Sequence, residues 1–263
     1  MLNIGWFSTG RDEAARQLLQ AVQEKIQSSD IKGKISFVFS NREPEEAQES
    51  DLFFELVHGY DIPLICFSHR KFQSLTLTFP SPLKGEGLDK DWRLQYDREV
   101  DKRIEQFQPD LCVLAGYMLI VGEELCRKYN MINLHPAPPD GPTGSWQDVI
   151  RELIQTGSNK AGAIMHLVTP ELDRGSVVTY CLFPIDGEPF SSYWQKNDKE
   201  PLFRLIREYE LAREFPLIIS TLQSMGQRDI NIMDGKVVNA QGKPIYGYNF
   251  SAKIDRAVEE KLI

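Results

Sequence analysis

Apolar and polar positions along the chain follow two rhythms. Short apolar runs, "NIGWFS" (3–8), "KISFVFS" (34–40), "IPLICF" (62–67), "DLCVLAGYM" (110–118) and "MINLH" (131–135), read as strands, while the stretches between them repeat apolar residues at helical spacing. In "EAARQLLQAVQEKI" (13–26), Ala14, Leu18, Leu19, Val22 and Ile26 share one stripe, so a strand, a tight Gly turn and a helix open the chain. The acidic segment 41–60 holds a second helix, 92–108 a third that Pro109 closes, and "EELCRKY" a short fourth. This alternation predicts an α/β fold: a Rossmann-like open, mostly parallel sheet with helices on both faces.

Past residue 135 the pattern continues with a helix that Ser145 and Asp148 start in capping-box fashion, its apolar side supplied by Val149, Ile150, Leu153 and Ile154. "AGAIMHLV" and "SVVTYCLFPI" read as two more strands, and 201–225 as a long helix bent or restarted near Pro216. Asp234-Gly235 between alternating residues signals a hairpin in the tail. The expected organisation is a main domain over 1–225 and a C-terminal hairpin and tail over 226–263. Residues 68–91 exceed most connections in length and are rich in Pro, Gly and Lys, which reads as an insertion loop.

Composition narrows the function. At 263 residues with 41% hydrophobic and 26% charged residues, the chain is long enough for a full core. A net charge of -8 argues against gripping a nucleic-acid backbone. Cys66, Cys112 and Cys181 sit in strand-like runs and Cys126 stands alone, so all four read as reduced thiols, three of them core residues. No Cys or His spacing assembles a metal site, and no apolar run reaches membrane-span length, which gives a cytoplasmic, metal-free, membrane-free expectation.

"MINLHPAPPDG" (131–141) raises the chemistry. Strand alternation puts Asn133 and His135 on one face at a strand's end, where open α/β sheets bind ligands. An amide donor beside a titratable ring suits acyl chemistry: the donor can hold a developing oxyanion and the ring can move a proton. "HLVTPELDRGSVV" (166–178) sets Glu171, Asp173 and Arg174 in a turn from which a carboxylate can reach His135. Such a carboxylate orients the ring and raises its pKa, keeping it protonated near neutrality. Singly, N-x-H and "PELDRG" are also ordinary packing and turn sequences.

Together these segments resemble one family. "NLHPAPPDGP" resembles the N-x-H-P signature of the folate-dependent formyltransferases, and "HLVTPELDRGSVV" their loop H-x-V-x-x-x-x-D-x-G-x-x-[IV]. "YDREVDKRIEQFQPDLCVLAGYM" (96–118) and "YELAREFPLIIS" (209–220) are similar to the glycinamide ribonucleotide (GAR) type, over about residues 2–225 with 68–91 unmatched. The resemblance implies transfer of a formyl group from 10-formyltetrahydrofolate to an amine without a metal, with Asn133, His135 and Asp173 as the catalytic trio. It implies a folate pocket along Leu114, Ala115, Gly116, Tyr117, Met118 and Leu119 and along Val168, Thr169 and Glu171. His166 takes a supporting role. It implies substrate contacts from Thr9, Gly10, Arg11 and Glu210. The partners it implies are a small-molecule amine and folate, with a homodimer left open.

Two departures bear on the acceptor. The first-helix turn reads "STGRDEA", and Asp12 and Glu13 there would cap the N–H groups that otherwise attract a phosphate. "APPDGPTGSWQDV" replaces the family's usual run after the His, so Asp140 and Trp146 are expected to shape a different acceptor pocket. A sugar-amine N-formyltransferase and a folate- or nucleotide-binding protein without turnover are the alternatives. The methionyl-tRNA enzyme fits less well, since the segment after the last helix is short for its barrel domain. The formyltetrahydrofolate hydrolase also fits less well, since the chain starts directly at its first strand.

Overall fold

The computed structural model describes residues 1–77 and 86–262. Met1–Met131 with Val168–Pro170 form one compact unit, and Ile132–Leu167 with Glu171–Ile263 a second.

In the first unit, β1 (Leu2–Phe7), α1 (Glu13–Gln27), β2 (Gly33–Ser40), α2 (Gln48–Gly59), β3 (Leu64–Cys66), α3 (His69–Leu77), α4 (Glu86–Ile104), β4 (Leu111–Leu114) and α5 (Glu123–Lys128) follow in order. The strands run β4-β1-β2-β3, every pairing parallel. Covered on both faces, they carry apolar residues continuously rather than alternately. Phe7, Phe37 and Phe39 pack with Cys112 and Leu114 and with Tyr96, Val100 and Ile104 of α4 into one core. The expected insertion loop is helical at both ends, as α3 and the start of α4. Its residues 78–85 lie outside the described residues. The Pro, Gly and Lys content that suggested a loop hid the apolar His69–Leu77 spacing, with Phe72 packed on the core.

In the second unit, β5 (Met131–His135, from Ile132 on), α6 (Trp146–Gln155), β6 (Lys160–Leu167), β7 (Val177–Pro184), α7 (Ser191–Lys196), α8 (Lys199–Gly226), β8 (Ile230–Met233), β9 (Lys236–Asn239), β10 (Tyr248–Asn249) and α9 (Ser251–Leu262) follow. The order β10-β7-β6-β5 is mixed: β5–β6 and β6–β7 are antiparallel, β7–β10 parallel. The loop from β6 to β7 is too short for the crossover helix a parallel return needs. α8 runs unbroken through Pro216, without the restart its sequence suggested. Asp234 and Gly235 both take positive φ, 49° and 69°, giving the type I′ turn of the expected β8–β9 hairpin.

The tail also holds two elements absent from the sequence reading, β10 and α9. Among the described residues of α9 one apolar residue, Ile254, is fully buried, too little to make a visible stripe. It is secured instead by polar contacts: the Arg213 guanidinium of α8 reaches the Asp255 carboxylate at 2.9 Å, and the Leu182 amide donates to Ser251 Oγ at 2.9 Å.

One buried acid stands out in the first unit. Asp97 of α4 is 4% exposed and its Oδ2 accepts the Gly122 N–H at 2.6 Å, fixing the far end of the segment after β4. Tyr96 beside it donates its hydroxyl to the Phe67 carbonyl at 2.6 Å. Burial pushes the Asp97 carboxyl up to about 6, against the pull of the Gly122 amide. A carboxyl raised on folding binds more protons in the native state, so its contribution to stability falls as pH rises from about 4 through 6. At roughly 1.4 kcal/mol per pKa unit, the penalty at neutral pH is on the order of 2–3 kcal/mol. Asp97→Asn keeps an oxygen acceptor and removes the charge. Urea unfolding at pH 4 and pH 7 is expected to show the variant gaining about that much relative to wild type between the two; parallel pH dependence would refute the assignment.

Candidate active site

β5 and β6 pair so that Asn133 lies opposite His166 and His135 opposite Ile164. This register brings two rings and an amide to the same rim, and the loop after β6 adds Asp173. The loop can turn so tightly because of Gly175: a Cβ there would sit 1.7 Å from the Leu167 carbonyl oxygen. Asp173 itself adopts φ 52°, a left-handed conformation that Asp tolerates better than most residues.

Both carboxylate oxygens of Asp173 are engaged. Oδ2 accepts the Gly144 N–H at 3.0 Å and lies 3.7 Å from His135 Nδ1; Oδ1 lies 3.4 Å from Asn133 Nδ2 and 3.5 Å from His166 Nε2. His135 Nε2 meets the Pro142 carbonyl at 2.9 Å, so that nitrogen bears the proton in the neutral ring and Nδ1 is left facing Asp173. His166 Nδ1 meets the Leu167 carbonyl at 2.8 Å, which leaves Nε2 to accept from Asn133 Nδ2 at 3.1 Å. The side chains of His135, His166 and Asp173 are at most 7% exposed.

Burial lowers the His135 pKa below its ordinary value; the Asp173 carboxylate and the Pro142 carbonyl pull it up without overcoming that. The ring is therefore neutral at pH 7, a correction to the expectation that a nearby carboxylate keeps it protonated. The carboxylate is there, but 3.7 Å exceeds hydrogen-bond length and desolvation wins. For Asp173, burial raises the pKa, and the two nearby imidazole rings, His166 ahead of His135, and the Gly144 amide together outweigh it, leaving a lowered value.

The structure thus gathers Asn133, His135 and Asp173 as the motif spacing predicts, and it places His166 inside the cluster rather than beside it. The backbone groups of Pro142 and Gly144 were not visible in the sequence, because a carbonyl and an amide leave no signature in residue identity. The β5–β6 register was the signal that could have promoted His166.

The other predicted residues fall into two groups. In the first unit, Leu114, Tyr117, Leu119 and Val168 pack into one apolar cluster, Ala115 is buried, and Gly116 and Met118 are exposed. The Tyr117 ring faces inward, edge-on to Phe7 at 5.6 Å, so its backbone rather than its phenol is presented outward. Thr169 is half-buried, and Glu171, already in the second unit, is exposed. Thr9 is 2% exposed; its hydroxyl donates to Asn41 Oδ1 at 2.8 Å and accepts the Met118 N–H at 3.0 Å. Gly10 takes φ 62°, and Arg11 lies 3.5 Å from Asp12. Asp12 caps α1 as expected, accepting the Ala15 N–H at 3.0 Å. In the second unit, Glu210 is fully buried on α8 without a hydrogen-bond partner for either oxygen, 3.9 Å from Arg207.

The family described as formyl transferase matches residues 12–192. The chain belongs to the formyl transferase family. Among relatives, the phosphoribosylglycinamide formyltransferase of Escherichia coli (strain K12) is 28% identical over 170 residues, covering 64% of this chain and 68% of that protein. That of Haemophilus influenzae is 24% identical over 231 residues, covering 85% and 92%. The solved phosphoribosylglycinamide formyltransferase from Coxiella burnetii superimposes with a TM-score of 0.70 at 23% identity, covering 94% of this chain and 98% of that one. The fold is therefore the α/β formyl transferase fold, mostly parallel as the sequence predicts. Among the described residues no helix is long and apolar enough to cross a membrane, and no group of three or more His, Cys, Asp or Glu side chains is placed to hold a metal.

Because Asp173 raises the His135 pKa, removing its charge must lower it further. In Asp173→Asn, NMR titration of the His135 ring is expected to give a pKa below that of wild type; an unchanged or higher value would show that the two groups are not coupled.

Proposed function

We propose that this chain transfers a formyl group from 10-formyltetrahydrofolate to a primary amine, in purine biosynthesis to glycinamide ribonucleotide, and does so in the cytoplasm. Membership of the formyl transferase family and the similarity to phosphoribosylglycinamide formyltransferases support this reading. The observation that carries it is the cluster of His135, His166 and Asp173, their side chains at most 7% exposed, with the half-buried Asn133.

The chain's own groups suit the steps of such a transfer. As the amine adds to the formyl carbon, the oxygen gains charge and the amine must lose a proton. The Asn133 N–H toward Asp173 is its longer and weaker bond, at 3.4 Å, and is the one free to turn to the developing oxyanion. The neutral His135 ring has Nδ1 unprotonated, so it can accept the amine's proton there, and the Asp173 carboxylate then stabilises the resulting imidazolium. The same proton can pass to the departing folate nitrogen, which restores the ring. Gly144 and Pro142 hold carboxylate and ring in register through these changes. His166 holds the Asn133 amide by its second N–H.

A flat pterin suits the Leu114–Leu119 and Val168 cluster: an apolar wall, backbone edges free of charged side chains, and Met118 exposed beside Gly116. Residues 1–225 would then form the transfer domain and 226–263 an appendage.

Purified protein mixed with 10-formyltetrahydrofolate and GAR is expected to consume the donor only when amine is present, followed by folate absorbance. Consumption without amine would mean hydrolysis, and binding without consumption an inert protein; either outcome overturns transfer. Asp173→Asn is expected to fold normally and to lower kcat by about 10²-fold or more, the range seen when a preorganised polar group is removed. A near-normal rate would take Asp173 out of the mechanism.

A further inference from the structure

The carboxyl ends of β2 and β3 hold a feature that the transfer chemistry does not use. Asn41 and His69 lock the two chain exits together: the His69 backbone N–H meets the Asn41 carbonyl at 3.3 Å, His69 Nδ1 meets the same oxygen at 3.0 Å, and Thr9 joins through its bond to Asn41. The next residue in each segment is an arginine, Arg42 and Arg70. The Asn41–His69 hydrogen bonds bring the residues just before the two arginines together; burial and then the charge of Arg70 lower the Arg42 pKa while Glu46 draws it up, and the same three charges act on His69.

Two like charges held together in a chain of net charge -8 call for a counter-charge. The neighbouring acids do not supply a complete one. Glu43 Oε2 and Glu46 Oε1 reach Lys71 at 2.6 and 3.8 Å, while Glu46 Oε2 and the Nε and Nη1 of Arg42 are each buried without a hydrogen-bond partner, so no acid pairs directly with those two nitrogens. Arg70 is exposed in the first turn of α3, the helix end that repels a cation and attracts an anion. Beside them the first turn of α1 is occupied, with Asp12 on the Ala15 amide and Ser8 Oγ on the Gly10 amide.

We propose that Arg42 and Arg70 form a binding site for a phosphate monoester, reading its oxygens by charge-assisted hydrogen bonds in place of the α1 helix end. Guanidinium groups suit the paired oxygens of an oxyanion. A carboxylate of the folate tail presents similar oxygens; the dianionic monoester balances both arginines. That this phosphate belongs to the amine acceptor rests on the proposed transfer reaction; the site itself does not.

The test is calorimetric and melting measurements on the full chain without turnover, using ribose 5-phosphate and, separately, p-aminobenzoylglutamate, for wild type, Arg42→Gln, Arg70→Gln and Glu46→Gln. Ribose 5-phosphate is expected to raise the wild-type Tm, with Kd weakened at least about tenfold in each arginine variant and not weakened in Glu46→Gln. Arg42→Gln is expected to keep the ligand-free Tm, since Nε and Nη1 of Arg42 make no hydrogen bond to lose and its repulsion from Arg70 is relieved. Equal phosphate binding in wild type and arginine variants would overturn the site. So would arginine-dependent binding of p-aminobenzoylglutamate alone, or ligand-free Tm values lowered together in Arg42→Gln and Glu46→Gln without phosphate binding, which would mark an internal ion pair. A chain that binds phosphate through these arginines yet transfers no formyl group would refute the function and leave the site standing.

Discussion

Asp173 divides its carboxylate between two rings, an amide side chain and a backbone N–H, and the candidate active site has its shape because all four answer to that one charge. With the side chain 7% exposed, the carboxylate stays ionised only through these partners. A buried carboxylate stripped of them would take up a proton or draw in water. The partners in turn have fixed places: Asn133 and His166 face each other across the β5–β6 ladder, and Gly144 lies in the segment that leads to the Ser145 cap of α6. Backbone pairing thereby sets the geometry of side-chain chemistry.

Much of this was legible in advance. β5 begins and ends where its apolar run does, and the same-face placement of Asn133 and His135 follows from strand alternation alone. The N-x-H and distant Asp were visible as residue types whose chemistry is narrow. The protonation state of His135 was less accessible, because it turns on how dry the ring is and on a few tenths of an ångström to Asp173, neither of which spacing encodes. The Pro142 and Gly144 contacts come from main-chain atoms and were invisible for the same reason. α9 escaped because Ile254 is the one fully buried apolar residue among its described positions and its anchor, Arg213, lies far away in sequence.

The α1 turn shows how a helix end can be closed by the chain's own side chains. Helix ends attract anions through unpaired N–H groups, and Asp12 both occupies such a group and places a negative charge there. Thr9, drawn inward to Asn41 and Met118, braces chain segments of the first unit against one another.

Beyond the β8–β9 hairpin, the Tyr246 hydroxyl donates to the Asp140 carboxylate at 2.7 Å, and Asp140 sits at φ 59° in the segment that carries Pro142 and Gly144. That single phenol ties a stretch near the end of the chain to the stretch that orients His135 and Asp173. Drift in the tail's length or sequence is therefore not silent: an added or lost residue before position 246 would tug on the rim of the candidate site from over a hundred positions away.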